Sequence, residues 1–539
     1  MTGTPTSRKS ATHASVTAGG AFRHRAFAII WIVTVVSNVG TWMYNLASGW
    51  LMLSLNADPF VVSLVQVANS LPLFLFAIPA GALVDIVDRR RFLIVGESSI
   101  TVVSLLFATL VWLHLVTPTS LLVFSFVVSV GSAITAPAWQ AVVPQLVTRE
   151  DLPSAIAANS AGINVSRAIG PALGGAIVNG FGITAPFWID AVSNLGVIGA
   201  LIWWRPPARP ASGLPPESMG SAIRTGLRHA RYNGHLRATL LRAVAFFTFA
   251  SGYWALLPLV VQSRMGGGAG LYGIVLACIG FSAVCGAFLL PRLRARWNAD
   301  LLLNGGTLIT SLATVLFALA QQPVTAILAS LIAGVAWIVA LSSLNISAQT
   351  SLPDWVRGRG LAVYVTAMFG ALTVGSALWG EVAARTTLPL ALLLSAAGGS
   401  LVVPLVSRWK LQTGAHVDFS PSLHWPAPLV TGEVDGDRGP VMVTVDYRID
   451  PANREPFLKA LGIYGRERQR DGAYDWGVYE DPAEPGRFVE TFRTDSWLEH
   501  LRHHQRVTRA DRLLEDEVRR FQLHGAPLTT HLIDARAET

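Results

Sequence analysis

The sequence predicts an all-α membrane protein of twelve transmembrane helices in two six-helix pseudo-repeats, followed by a small cytoplasmic α+β ferredoxin-like domain. Three observations predict it. The 539 residues are 52% hydrophobic and only 14% charged, with mean hydropathy +0.46, whereas soluble domains carry about 25% charged residues. No Asp, Glu, Lys or Arg lies between Glu97 and Arg149 or between Asp300 and Asp354, and each gap has room for two helices of about 20 residues. A pattern recurs at an offset of 205 residues, and beyond Val441 the composition turns soluble.

Apolar runs bounded by charges and turn signals, such as Thr117-Pro118-Thr119 and Gln321-Gln322-Pro323, place the spans. They are 26–53, 60–84, 92–116, 120–138, 152–180, 185–204, 243–262, 271–290, 301–320, 324–348, 361–384 and 388–406. With that alternation, 22 basic residues fall on one side and only Arg264 and Arg385 on the other. The positive-inside rule then puts both termini in the cytoplasm. The polar, Ser/Thr-rich segment 1–22 reads as a disordered arm without the apolar core of a signal peptide. The halves are 23–204 and 243–410, joined by a cytoplasmic loop, 205–242, which opens Pro-rich and reads over 220–237 either as a simple tether obeying the charge rule or as a basic amphipathic helix on the membrane surface. Residues 411–440 form a linker and 441–539 the tail domain. Cys278 and Cys285 lie a heptad apart in one apolar run and read as packing residues, not a disulfide. Net charge is +11 before Val441 and −3 after it. Topology accounts for the basic excess, and no nucleic-acid partner is expected.

The repeat aligns GALVDIVDRRR, from Gly81, with GAFLLPRLRAR, from Gly286. The same offset places GPALGG, from Gly170, on GSALWG, from Gly375. Two matches at one offset point to a duplicated six-helix unit, as in transporters built from parallel repeats.

GALVDIVDRRR resembles the loop 2–3 signature of the major facilitator superfamily, matching at Gly81, Leu83, Asp85, Arg89 and Arg90 and departing at Ile86 and Asp88. SRAIGPALGG, from Ser166, resembles the fifth-span signature of its exporters, with Ser166 where a glycine is usual. This wording together with the tail resembles the transmembrane secretion effector group, which includes enterobactin-type siderophore exporters. The resemblance implies a bacterial inner-membrane exporter of a small amphipathic molecule, such as a siderophore or a drug, working against proton entry. Its partners would be that substrate, protons and the lipid bilayer.

The site candidates fall into four groups. Gly81 is expected to let two helices approach closely. The family fold would place Asp85 near the start of the eleventh span, at 358–360, where a helix N-terminus attracts a carboxylate and Arg357 and Arg359 strengthen the attraction. With Arg89 and Arg90, these residues are expected to form a gating latch, with topology anchoring as the alternative for the arginines. Arg167, Asp190 and Glu381 are intramembrane charges, costly to bury and therefore functional candidates. Arg167 and Asp190 fall at matching depth and are expected to form a pair or a shared polar network, whereas Glu381 is expected to pair at the surface with Arg385 four residues on. Gly170, Pro171, Gly174 and Gly175 form a helix-bending motif, with packing as the alternative. Trp42, Tyr44, Trp50, Tyr253, Trp254 and Trp337 are candidate cavity aromatics.

In the tail, 441–450 alternates like a strand. A helix over 451–470, a hairpin over 474–480 and 487–493, a second helix over 495–521 capped by Asp495, and a strand over 528–533 complete a βαββαβ order. ETFRTDSWLEHLRHHQRVTRAD, ending at Asp511, resembles the antibiotic-biosynthesis monooxygenase fold, which implies dimerisation. His500 with His503 or His504 has metal-like helical spacing. No further ligand set is legible, so an exposed polar face is expected, with no metal or cofactor. The absence of a GxxxxGK[ST] sequence argues against ATP use. A transporter is thus expected, not an enzyme. The alternatives are a membrane-tethered enzyme using the tail, an importer or a scaffold.

Overall fold

The computed structural model describes residues 20–535 apart from 85–86, 207–218, 414–417, 423, 426–427, 429, 431 and 433. The long helices are α1 (Arg25–Leu55), α2 (Pro59–Val84), α3 (Arg89–Trp112), α4 (Pro118–Val142), α5 (Leu152–Phe181) and α6 (Ala185–Trp203). The shorter α7 (Met219–Tyr232) precedes α8 (Gly234–Leu259), α9 (Ala269–Arg296), α10 (Ala299–Leu319), α11 (Pro323–Thr350), α12 (Arg357–Arg385) and α13 (Leu388–Val406). Eleven of the long helices are apolar enough to cross a membrane. The remaining one, α5, is 30 residues long but carries Arg167 and several Asn, Ser and Gly residues that lower its hydropathy.

Local chemistry sets the boundaries. Thr117 and Ser120 form a capping box at α4. Asp88, Asn233 and Asn298 accept from the backbone N–H groups of Arg91, Leu236 and Leu301 at 2.9, 2.9 and 2.8 Å, starting α3, α8 and α10. A capping role thus accounts for Asp88 in the Gly81 motif. The span expected from 243 begins earlier, because Arg242 is buried inside α8, where Asp300 neutralises it and the Asn304 side-chain carbonyl accepts a hydrogen bond from it. The end of the expected disordered arm is folded: Gly20–Arg23 is a 3₁₀ turn with Ala21 buried, while residues 1–19 lie outside the described residues.

Helices α1–α6 and α8–α13 form two groups that meet along small-residue seams. Gly280 of α9 lies against the backbone of Arg167 and Ala168. Further along the same seam, Gly273 meets Pro171 and Gly175, and Gly175 meets Ala269. Between α2 and α12, Ser70 and Thr373 share a 2.8 Å hydrogen bond, and Gly380 abuts Ser63. Backbones approach this closely only where a side chain is missing.

Helix α7 does not lie free on a membrane surface. It packs against α2 and α12 on one side and the tail on the other, burying Thr225, His229 and Ala230. The tail holds a four-stranded antiparallel sheet ordered β2-β3-β1-β4, from β1 (Val441–Arg448), β2 (Tyr474–Glu480), β3 (Arg487–Thr494) and β4 (Leu528–Ile533). Its helices are α14 (Arg454–Asp471), α15 (Trp497–Arg506) and α16 (Arg509–Arg519). The single helix expected over 495–521 is two. Ser496, not Asp495, caps α15. The chain then extends at Val507, and Thr508 with Asp511 caps α16 anew. Phe457, Leu461 and Tyr464 of α14 pack on Val441, Val443 and Phe492 of the sheet. Described residues of the expected linker join this domain, since Trp425 donates to Glu515 at 2.7 Å.

Candidate functional site

A cavity of about 500 Å³ lies inside the first helix group. Its lining includes Thr41, Asn69, Glu97, Gln140, Asp190 and Asn194. Asp190, buried in α6, accepts from Thr41 at 3.3 Å and Ser104 at 3.4 Å. Glu97, buried in α3, accepts from the Trp139 indole at 2.7 Å. Ser37 donates to Asn194 at 2.5 Å. Tyr44 also faces this cavity and packs edge-on against Phe187 at 5.1 Å. Two acids in an otherwise neutral polar chamber can hold and release protons, or hold a cation.

Arg167 does not pair with Asp190. Its guanidinium sits 5.6 Å from the Trp42 ring centre of α1, while its backbone carbonyl lies on the α5 seam against Gly280 of α9. Matching depth along two helices did not determine which way each side chain faces. Glu381 pairs with Arg385 at 2.5 Å.

A second cavity, about 680 Å³, separates the two groups at the Arg89 end. Leu73, Ala136 and Gln140 line both cavities, so the two adjoin. Gly81, Gly226, Gly358 and Arg359 line the second. At the opposite end the groups touch, with Gly49 of α1 against Pro258 and Tyr272, Gly175 against Ala269 and Gly380 against Ser63. The gap therefore opens toward the arginine-rich end.

Asp85 lies outside the described residues. A Cβ on Gly81 would meet only Ala362, at 4.0 Å, so this glycine is not required for close approach. Arg90 donates to the carbonyls of Leu201 and Ile202 at 2.8 and 2.6 Å, and Arg89 to that of Ala141 at 3.3 Å. These arginines tie α3 to the ends of α6 and α4. Arg357 pairs with Asp354 at 2.5 Å. Gly170 and Gly174 face Trp42 and Met43 of α1, and Gly175 faces α9. With Pro171 inside it, α5 remains one continuous helix, and close packing accounts for these glycines.

Among the candidate aromatics, Trp254 lies 5.4 Å from Trp337 and 5.5 Å from Tyr253, forming an apolar cluster in the second group. Trp50 stacks on Tyr272 at 6.1 Å. Cys278 and Cys285 are free thiols.

The tail corrects a further expectation. His500 and His503 are 2% and 1% exposed, so their face of α15 is not a solvated one. In the same domain burial alone would raise Glu515, but the Trp425 hydrogen bond, the Arg468 charge and the His424 hydrogen bond outweigh it and hold the carboxyl at about 2.

Sequence reasoning missed Glu97, which it used as the edge of an uncharged run. Its place eight residues inside α3 was the available signal.

The sequence profile of the transmembrane secretion effector family matches residues 16–539. The staphyloferrin A transporter of Staphylococcus aureus is 21% identical over 256 residues, 47% of this chain and 64% of that protein; the chain thus spans less than two thirds of that relative's length. An uncharacterized MFS-type transporter of Bacillus subtilis, YfiS, is 26% identical over 371 residues, 67% of this chain and 87% of that one. The macrolide efflux protein A of Streptococcus pyogenes is 24% identical over 252 residues, 45% of this chain and 60% of that protein. Among solved structures, a bacterial homolog of the human lysosomal transporter Spinster, inward-facing and unoccupied, superposes with TM-score 0.55 at 15% identity, covering 72% of this chain and 97% of that one. An auto-inhibited POT family peptide transporter gives 0.59 at 12% identity, covering 73% and 98%. Two helix groups, a cavity between them and a family match across nearly the whole chain agree: this protein belongs to the transmembrane secretion effector family of MFS transporters.

Proposed function

We propose that the protein is a secondary exporter of a small amphipathic molecule, of the siderophore or macrolide class, driven by proton antiport through alternating access of its two halves. The observation that carries this is the chamber holding Glu97 and Asp190, adjoining the cavity at the arginine-rich end. Buried intramembrane acids cost about 2.5–3.5 kcal/mol each at a helix centre and are retained where they act. Protonation of either acid would lower the cost of reorienting the chamber, and substrate entering from the other cavity would displace the proton.

In this reading α5 spans the bilayer as the fifth of twelve helices, despite its lower hydropathy. The arginine-rich end and both termini face the cytoplasm of a bacterial inner membrane. Asp85 latches that end shut in the alternate state, drawn to the start of α12 by Arg357 and Arg359, and α5 bends at Pro171 between states. The tail is a ferredoxin-like domain that serves the transporter from the cytoplasmic side.

Uptake into inside-out vesicles tests the substrate class, using a catecholate siderophore, a macrolide and a fluorescent hydrophobic panel in parallel. Saturable uptake of one class supports the reading. Uptake of none by folded, vesicle-incorporated protein, with turnover of a substrate by the tail, favours a tethered enzyme.

A further inference from the structure

The tail brings together three histidines that the sequence leaves 31 residues apart. His500 and His504 lie one turn apart on α15, with ring centres 4.7 Å from each other. His531 reaches them from β4, the edge strand, at 4.8 Å from His500 and 6.3 Å from His504. One ring nitrogen from each lies within 4.8 Å of the other two.

The surroundings point to a missing partner. His500 is 2% exposed, yet among the described residues neither of its ring nitrogens has a hydrogen-bond partner. A buried imidazole with both nitrogens unmatched is costly, and an ion is one of the few partners that resolves it. The nearby cation does not claim the pocket. Arg468 is bound to Glu490 at 2.8 Å and stacked over Tyr464 and Phe492. His503 is not part of the set, because its ring faces Phe492 and Trp425.

We propose that His500, His504 and His531 bind one divalent transition-metal ion between α15 and the edge strand β4. Three imidazoles without a carboxylate suit zinc, copper or nickel and do not suit magnesium or calcium. At zinc–nitrogen distances of about 2.0–2.1 Å, tetrahedral ligand nitrogens sit roughly 3.4 Å apart, so side-chain rotations would close the set around an ion. Trp497 covers one side, 5.4 Å from His500. His504 and His531 are half-buried, which leaves an entry path and an open coordination position for water or an outside ligand. Binding would pin β4 to α15 and order the edge of the sheet.

The test uses the full-length protein in detergent, without a polyhistidine tag, stripped by chelator and titrated calorimetrically with Zn²⁺ alone. A parallel titration with Co²⁺ reads the visible absorption of the coordinated ion. Binding of one equivalent is expected, with slower hydrogen exchange in 528–533. His504→Gln and His531→Gln each weaken binding by about tenfold or more, at least the loss seen when a ligand's outer partner is removed. The exposed His524→Gln leaves it unchanged. Both test positions are half-buried, and unchanged exchange in 441–448 establishes that the variants fold. Binding well below one equivalent, or binding indifferent to both substitutions, overturns the proposal.

Discussion

The guanidinium of Arg506 lies 4.5 Å over the indole ring of Trp355, joining α15 of the tail to the turn before α12. The contact belongs to a small interface. His229 of α7 meets the same indole edge-on at 5.6 Å, and Arg506 also donates to the Asp471 carbonyl at 3.2 Å and to Glu499 at 2.5 Å. Trp355 lines the cavity at the arginine-rich end, so the tail is docked where that cavity opens.

A desolvated cation–π contact contributes up to about 2 kcal/mol. Arg506→Ala and Trp355→Ala are each expected to speed hydrogen exchange in α7 and α15 by about tenfold, and a double-mutant cycle should return a coupling near 1–2 kcal/mol. Arg506→Lys rescues only in part, because an ammonium does not stack as a planar guanidinium does. Additive effects would show that the two residues act separately.

The seam glycines and the motif glycine should respond in opposite ways. A Cβ on Gly280 would lie 2.7 Å from the Arg167 carbonyl and 2.8 Å from the Ala168 Cα. Gly280→Leu therefore forces α5 and α9 apart at a cost of about 1–3 kcal/mol, reducing the population of this arrangement by about tenfold. Gly81→Ala meets only Ala362 at 4.0 Å and should change stability by less than about 0.5 kcal/mol. Distances between spin labels near Phe181 of α5 and Ala269 of α9, with thermal unfolding in detergent, read both effects.

Acid should loosen the tail through Glu515. Its carboxyl is depressed to about 2 from an ordinary value of 4.5, so its contribution is complete above the ordinary value and is lost as pH falls toward 2. The shift corresponds to about 3 kcal/mol. Glu515→Gln should lower protection of the tail at pH 7 and flatten its decline between pH 5 and 2, as read by hydrogen exchange of β1 and β3. An unaltered pH profile would place the acid sensitivity elsewhere.

Much of the helical layout was legible because a bilayer demands long apolar runs separated by charges and turns. The misses have local causes. Arg242 looked like a loop residue because its counter-charge, Asp300, and its hydrogen-bond acceptor, Asn304, lie 58 and 62 positions away. Arg167 and Asp190 matched in depth, but depth does not fix the rotation of a helix about its axis. Glu97 was hidden by its use as a boundary. The break at Val507 depends on Ser422, whose backbone N–H pairs with the Val507 carbonyl at 2.9 Å, a contact that helical periodicity does not reveal. His531 joins His500 and His504 only through the pairing of β4 with β1. The tail's strands were legible because one buried face imposes alternation.

The central claim is that the acids of the first-group chamber couple proton movement to export. Uptake of a transported compound into inside-out vesicles, with and without an imposed pH gradient, tests it most directly when wild type is compared with Asp190→Asn and Glu97→Gln. The account predicts gradient-stimulated uptake by wild type and a loss of about tenfold or more in at least one variant, one decade being about 1.4 kcal/mol, while gradient-independent binding persists. Equal stimulation in wild type and both variants would contradict it.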